Sequence, residues 1–219
     1  MGKRLGLLLA AFALCVTTAI AEDIDGDDGP NELKGTSGPD HIRGFGGADL
    51  LEGNRAGDRI EGGDGGDVLR GEQGDDEVSG GSGPDNITER RIGNLPDGTY
   101  GGDDVLLGRD GRDRIIGGRG DDEIRGGEGP DIGTQEENNA GGLVGGQGDD
   151  QIFGGPDADD LFGGPGGDLL SGGEGDDIIF AHFDDTPDEV SCGPGNDQVL
   201  ADSNDEVAED CEEVVLGPF

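Results

Sequence analysis

The sequence contains few of the residues that build an ordinary hydrophobic core. Among 219 residues there are seven Phe, one Tyr, one Met and no Trp, so aromatic residues make up only 4% of the chain. Basic residues are also scarce, with 14 Lys and Arg against 52 Asp and Glu, which gives a formal charge of −38. This balance argues against direct binding of nucleic acid or anionic lipid, because both are polyanions.

The residue patterns of common catalytic sites are also missing. His41 and His182 are the only histidines, and neither lies in an HExxH motif. No Ser occupies a GxSxG motif, and no GxxxxGK[ST] motif is present. We therefore expect no enzyme and no catalytic residue. The remaining enzymatic hypothesis places an unknown site in residues 89–100 or 134–144.

Gly and Asp are abundant, and they recur in a nine-residue frame, Gly-Gly-x-Gly-x-Asp-x-U-x, in which U is a large aliphatic residue. Glycine permits the positive φ values of tight turns, which can direct several carbonyl oxygens at one point, and the Asp adds a carboxylate there. Such an all-oxygen ligand set favours Ca²⁺ over zinc or copper. Complete frames lie at 62–70, 117–125, 145–153, 163–171 and 172–180, and looser ones at 44–52, 71–79, 80–88 and 108–116.

The last three residues of each frame predict a short strand with one inward-facing aliphatic side chain. Two frames would form one coil, so that Asp residues 18 apart stack about 4.8 Å from each other, the spacing of strands in a sheet. The predicted fold is therefore all-β, a right-handed parallel β-roll or β-solenoid. The predicted inward residues are Leu69, Val78, Ile87, Ile115, Ile124, Ile152, Leu170 and Ile179.

The nonapeptide frame is identified as the calcium-binding signature of the repeats-in-toxin (RTX) family, which the chain resembles from about Gly35 to Leu200. The resemblance implies two facing parallel sheets with multiple Ca²⁺ ions bound between the turns of successive coils. It also implies that the aspartates in the sixth position of the frame are the side-chain metal ligands. These are Asp40, Asp49, Asp58, Asp67, Asp76, Asp85, Asp104, Asp113, Asp122, Asp131, Asp150, Asp159, Asp168, Asp177 and Asp197.

The repeats also show a longer period of 46 residues, which relates Asp58, Asp104 and Asp150. Degenerate units near 89–100 and 134–144 interrupt the frames. Duplication of a four-repeat block explains these breaks, and functional loops are the alternative. Because each break restores the same side of the roll, we expect bulged coils rather than separate domains.

The first 21 residues have the features of a secretory signal peptide: Lys3 and Arg4, an apolar run, and Ala19-Ile20-Ala21 as a cleavage site. No later segment is apolar enough to span a membrane. Residues 22–34 are predicted to be a flexible acidic leader, and residues 35–187 the roll. Removal of the signal would leave 52 acidic and 12 basic residues, a charge of −40 that favours disorder unless cations bind.

Residues 188–219 are predicted to be a capping tail. Cys192 and Cys211 are an even pair in a chain expected to be exported, which favours a disulfide that staples this tail. A reactive redox pair is the alternative, and the resemblance to exported RTX-like proteins implies a similar Cys-Gly-x-Gly-x-Asp tail.

The resulting hypothesis is a secreted, extracellular calcium-binding protein that folds on binding Ca²⁺ and has a structural or interaction role. A calcium-dependent surface adhesin is the alternative. The sequence does not name a protein or surface partner.

Overall fold

Twenty short strands form two parallel sheets, with no helix among the residues that the structure describes. These are residues 20–88, 101–133, 142–181 and 186–217 of a computed structural model. Odd-numbered strands form sheet A and even-numbered strands form sheet B, each with ten strands in chain order. In these ranges no helix is long and apolar enough to cross a membrane.

Sheet A contains β1 (Asp23–Asp25), β3 (His41–Gly46), β5 (Arg59–Asp64), β7 (Glu77–Ser82), β9 (Val105–Asp110), β11 (Glu123–Glu128), β13 (Gln151–Pro156), β15 (Leu169–Glu174), β17 (Glu189–Ser191) and β19 (Glu206–Val207). Sheet B contains β2 (Glu32–Lys34), β4 (Leu50–Arg55), β6 (Val68–Gln73), β8 (Asn86–Thr88), β10 (Arg114–Arg119), β12 (Leu143–Gln147), β14 (Asp160–Phe162), β16 (Ile178–Ala181), β18 (Gln198–Ala201) and β20 (Glu213–Leu216). The predicted parallel β-solenoid is confirmed.

The core consists of two columns of aliphatic side chains, one from each sheet. Within a column, each residue pairs with the equivalent residue of the next coil, as Ile42 does with Ile60 and Leu51 does with Leu69. All eight residues predicted to face inward are fully buried. Because successive strand residues point to opposite faces, each short strand supplies one aliphatic residue to the core and leaves its two neighbours on the outer surface.

The breaks do not divide the roll. In sheet A, Val78 pairs with Leu106 across the first break and Ile124 with Ile152 across the second. In sheet B, Ile115 pairs with Ile87 and with Leu143, so each column continues across both breaks in register. The aspartates on either side of a break are linked at a separation of 28 residues, whereas the regular coil has 18. Both sheets are therefore continuous across the breaks. Most of the predicted degenerate units, 89–100 and 134–141, lie outside the described residues, and β12 begins at Leu143.

Both ends of the roll differ from the predicted boundaries. Residues 22–34 are predicted to be a flexible leader, but β1 and β2 lie there and pair with β3 and β4 as the first coil. The tail likewise extends both sheets through β17 to β20. The roll therefore runs from Asp23 to Leu216, because residues just outside the regular frames still place an aliphatic residue on each core column.

The predicted disulfide between Cys192 and Cys211 is present, with Cα atoms 5.2 Å apart. Cys192 follows β17 and is buried, and Cys211 precedes β20 and packs against the core. The bond thus joins the last two coils.

Candidate metal centres

Each aspartate in the sixth position of the frame except Asp131 lies immediately before a strand, and the backbone of the neighbouring coils holds it in place. Asp67, for example, lies in the turn between β5 and β6, and the first N–H group of β6 (Val68) donates to the carbonyl of Asp49 at 2.8 Å. Gly65 in this turn has a φ of 147°, and a Cβ there would collide with the carbonyl oxygen of Gly47 in the preceding coil. The glycines therefore permit the close stacking that aligns the aspartates.

These aspartates form two rows that run along the roll, one at each of its edges, and each row is buried up to its last member. In each row, the Oδ1 atom of one aspartate accepts a hydrogen bond from the backbone N–H of its equivalent in the preceding coil. We name them row A (Asp40, Asp58, Asp76, Asp104, Asp122, Asp150, Asp168, Asp188 and Asp205) and row B (Asp49, Asp67, Asp85, Asp113, Asp131, Asp159, Asp177, Asp197 and Glu212, which accepts through Oε2). The N···O distances lie between 2.7 and 3.1 Å.

In most members of the two rows, the second carboxylate oxygen, Oδ2, has no hydrogen-bond partner. Oδ2 is buried without a hydrogen bond in Asp49, Asp58, Asp67, Asp76, Asp85, Asp113, Asp122, Asp131, Asp150, Asp159, Asp177 and Asp197. Buried polar atoms in native proteins almost always have a partner, and the exceptions require an explanation such as an ion. At the start of row A the situation differs, since Oδ2 of Asp40 accepts from the N–H of Thr36 at 2.5 Å and from its Oγ1 at 3.0 Å.

The unpartnered oxygen points into the turn of its own frame, next to the backbone of the following coil. A Cβ at Gly62 would collide both with Oδ2 of Asp67 and with the carbonyl oxygen of Gly80. The same two kinds of oxygen flank Gly117, where they belong to Asp122 and Gly145. Glycine in the first position therefore leaves room for a carboxylate and a carbonyl oxygen from adjacent coils to approach each other.

Burial makes the charged form of these carboxylates unfavourable. Burial is the largest effect, and it raises the pKa of each carboxyl. The hydrogen bond from the backbone of the preceding aspartate lowers the pKa in part, and nearby carboxylates raise the pKa further. The resulting pKa is about 8 for Asp76 and Asp159, about 7 for Asp58, Asp85, Asp122 and Asp131, and about 6 for Asp113, Asp150 and Asp177. At neutral pH, a cation beside the rows would offset this cost.

The donor set fits Ca²⁺. In the described ranges, no three His, Cys, Asp or Glu side chains converge as a metal-ligand group. Side chains alone would therefore leave a cation short of ligands, and backbone carbonyls would have to complete the shell. Ca²⁺ takes six to eight oxygen ligands, readily including backbone carbonyls, whereas zinc prefers four ligands rich in nitrogen and sulfur.

All fifteen aspartates predicted as ligands are buried, with exposures of 0–4%. The eight 18-residue pairs among them that the spacing predicts are linked through Oδ1, for example Asp104 with Asp122 and Asp159 with Asp177. The sequence prediction missed Asp188, Asp205 and Glu212, which continue the rows after the regular frame ends. The signal that finds them is an acidic residue two positions before an aliphatic one, as in Asp188-Glu189-Val190.

Comparison with known families agrees with this geometry. The family model for the RTX calcium-binding nonapeptide repeat matches residues 25–56, 52–87, 99–132, 143–170 and 154–185, which is more than half of the chain. The chain belongs to this RTX repeat family. It is therefore a calcium-binding repeat protein, built on the β-solenoid described above. No curated protein matches the chain closely enough to add a relative.

The raised pKa values predict that acid stabilises the calcium-free roll. The carboxylates of Asp76 and Asp159 have a pKa of about 8 in the roll, against 3.8 for an ordinary Asp. Their protonation therefore contributes stability that is fully present below about pH 4 and is lost as the pH rises through 8. Circular dichroism of calcium-depleted protein should show more strand at pH 4.5 than at pH 8.

The control for this experiment separates the rows from the general loss of negative charge. Asp76→Asn with Asp159→Asn should flatten the pH dependence, whereas Glu209→Gln with Asp64→Asn, which removes two carboxylates outside the rows, should leave it nearly unchanged. Equal flattening by both pairs, or stability that rises with pH, would contradict the account.

A second prediction concerns the unpartnered oxygens. Asp159→Asn keeps an oxygen that can accept from the N–H of Asp131 but removes one charge, so the calcium concentration at the folding midpoint should rise by about threefold or more. Asp40→Asn is the matched control, because Thr36 already hydrogen-bonds to Oδ2 of Asp40. Calcium titrations followed by circular dichroism would measure both midpoints, and equal shifts would show that the unpartnered oxygen has no special role.

Proposed function

We propose that this chain is a secreted protein that folds when Ca²⁺ binds between its stacked turns and then has a structural or interaction role outside the cell. The observation that carries the proposal is the pair of buried carboxylate rows, in which twelve Oδ2 atoms have no hydrogen bond from the protein. A protein interior stabilises such charges only when a compensating charge is present.

The proposed ligands are the fifteen aspartates predicted from the frame, together with Asp188. The unpartnered Oδ2 atoms and the carbonyl oxygens of the neighbouring turns would hold the ions, and Asp40, whose Oδ2 already accepts from Thr36, would contribute least. Bound Ca²⁺ supplies positive charge to both rows. The role of the chain is to place the oxygens of one coil beside those of the next, since Oδ1 of each aspartate is already occupied by the N–H of the preceding coil.

Coupling of folding to calcium follows from how little else stabilises each coil. A frame of nine residues buries one aliphatic side chain fully, which offsets only part of the conformational entropy lost by those residues. The chain also carries a large excess of negative charge, which opposes compaction. Metal binding that occurs only in the folded state would then add its free energy to folding.

Two features support secretion. The signal peptide predicted over residues 1–21 lies almost wholly outside the described residues and stays a prediction. The disulfide between Cys192 and Cys211 is the kind of bond that persists in oxidising compartments. Outside the cell, calcium is abundant enough for sites with dissociation constants of about 10⁻⁴–10⁻³ M, the range of extracellular modules.

The function assigned here requires no catalytic step. The described residues provide buried carboxylates arranged in rows, and the proposal assigns each of them to cation binding. An interaction role is compatible with the long outer faces of the two sheets.

Calcium titration of the chelator-treated protein tests the proposal. Circular dichroism should show a coil-like spectrum without calcium and a strand spectrum after addition of Ca²⁺, with a midpoint of about 10⁻⁴–10⁻³ M. Mg²⁺ at the same concentration should restore little strand, because it prefers a smaller and more regular octahedral shell. A strand spectrum at pH 8 that is the same with and without calcium would contradict the proposal.

A further inference from the structure

The final strand of sheet B exposes a cluster of apolar side chains. On β20, Val214 is 38% exposed, Val215 is 54% exposed and Leu216 is 59% exposed. The other large exposed hydrophobic residues of the described chain, Ile20, Phe45 and Ile132, are separated from one another in sequence. Single exposed apolar residues are common on protein surfaces, whereas a contiguous group indicates an interaction site.

Two of these residues occupy core positions of the roll. Val214 pairs with Val199, and Leu216 pairs with Ala201, and both partners are fully buried. Val214 and Leu216 nevertheless remain exposed in the described chain. At β20 the roll therefore presents the inner surface of a coil, which another strand could cover.

The outward-facing Val215 ends a stripe of apolar residues on the outer face of sheet B. Successive coils place its members beside one another, and two of them, Phe162 and Phe180, stack with ring centroids 4.3 Å apart. The stripe is Ile116, Val144, Phe162, Phe180, Leu200 and Val215. The apolar surface at β20 is thus continuous with the outer face.

The backbone of β20 is also open on one side. Among the described strands, β20 pairs only with β18. Glu213 donates its N–H to the carbonyl of Asp197, just before β18, and Gly217 donates its N–H to the carbonyl of Ala201. In a parallel ladder the intervening residues turn their N–H and C=O groups the other way, so those of Val214 and Leu216 face outward. An open edge of this kind can accept a further strand.

The charge around this edge determines which strand fits. Glu206, Glu209, Asp210, Glu212 and Glu213 are all exposed in the segment from β19 to the start of β20. The sequence has no Lys or Arg after Arg125, so this half of the roll offers no basic side chain to balance them. A second copy stacked on this edge would place acidic residues opposite Glu206 and Glu213. In one orientation these are Glu206 and Glu213 of the second copy, and in the other they are its Asp23 (β1) and Glu32 (β2). Like charges directly opposite one another destabilise strand pairing.

We propose that the outer edge of β20 is a docking site for an extended segment of another protein in which basic and apolar residues alternate. The segment adds to sheet B as a further strand. Its apolar side chains cover Val214 and Leu216, its backbone pairs with the outward N–H and C=O groups of those residues, and its basic side chains face the surrounding carboxylates.

The test uses the full chain, secreted and folded in calcium, with synthetic peptides of eight residues at physiological salt. A peptide that alternates Lys and Val should bind in calorimetry. A peptide of the same composition with all Lys first, one that alternates Glu and Val, and an alternating Lys and Val peptide with N-methylated backbone amides should each bind at least about tenfold more weakly. Equal binding by the block peptide would reduce the interaction to net charge and overturn the proposal.

Variants locate the site on the protein. Val214→Asp and Leu216→Asp should each weaken binding of the alternating peptide by about tenfold or more, as expected for loss of one buried aliphatic contact. Phe45→Asp, which changes an exposed apolar residue of β3, is the matched control and should leave binding unchanged. Circular dichroism in calcium checks that each variant is folded. If either β20 variant does not fold, it is replaced by Val215→Asp and Glu213→Lys, because both of these side chains are exposed at the edge.

Three results would overturn the proposal: no binding of the alternating peptide to folded protein, equal losses for the β3 and β20 variants, or a calcium-folded protein that dimerises in sedimentation and loses dimerisation with Leu216→Asp. The last result would assign the edge to a second copy of the chain.

Discussion

The structure depends on one electrostatic constraint, the burial of two rows of carboxylates inside a roll that has little else to stabilise it. Each aspartate is fixed through Oδ1 by the preceding coil, so it cannot turn outward into water without breaking a hydrogen bond of the stack. Burial raises the pKa of Asp76 and Asp159 to about 8. The rows are therefore unfavourable as bare anions at neutral pH, and favourable once divalent cations lie beside them.

The same stacking aligns the rows, the core columns and the turns. Glycine in positions such as Gly62 and Gly65 is required because a side chain there would collide with oxygens of an adjacent coil. The single aliphatic residue of each strand covers its equivalent in the next coil. Calcium affinity, packing and turn conformation are thus linked, since each of them fails if the coils separate.

The nine-residue frame was sufficient to predict the parallel solenoid, the inward aliphatic residues and the stacking of aspartates 18 apart. It failed where turn length varies. The hydrogen bonds that link Asp168 to Asp188 and Asp76 to Asp104 span 20 and 28 residues instead of 18. In the first coil, Glu22 and Asn31 stand where later coils have aspartate. From coil to coil the fold keeps the aspartate rows and the aliphatic columns in register, because these contact the neighbouring coils. The number of residues between an aspartate and its strand can vary, as between Asp131 and Leu143, the first residue of β12. The exposure of β20 could not be predicted from the frame, because Val214 and Leu216 occupy positions whose partners in β18 are fully buried.

The most direct measurement is the anomalous X-ray scattering of calcium in crystals grown with Ca²⁺ at neutral pH. The account predicts peaks along both rows, each within about 2.3–2.6 Å of an aspartate Oδ2 and of carbonyl oxygens from adjacent turns. An ordered roll with no anomalous peaks beside the rows, or with ions bound only to exposed carboxylates such as Asp64 and Glu209, would contradict it.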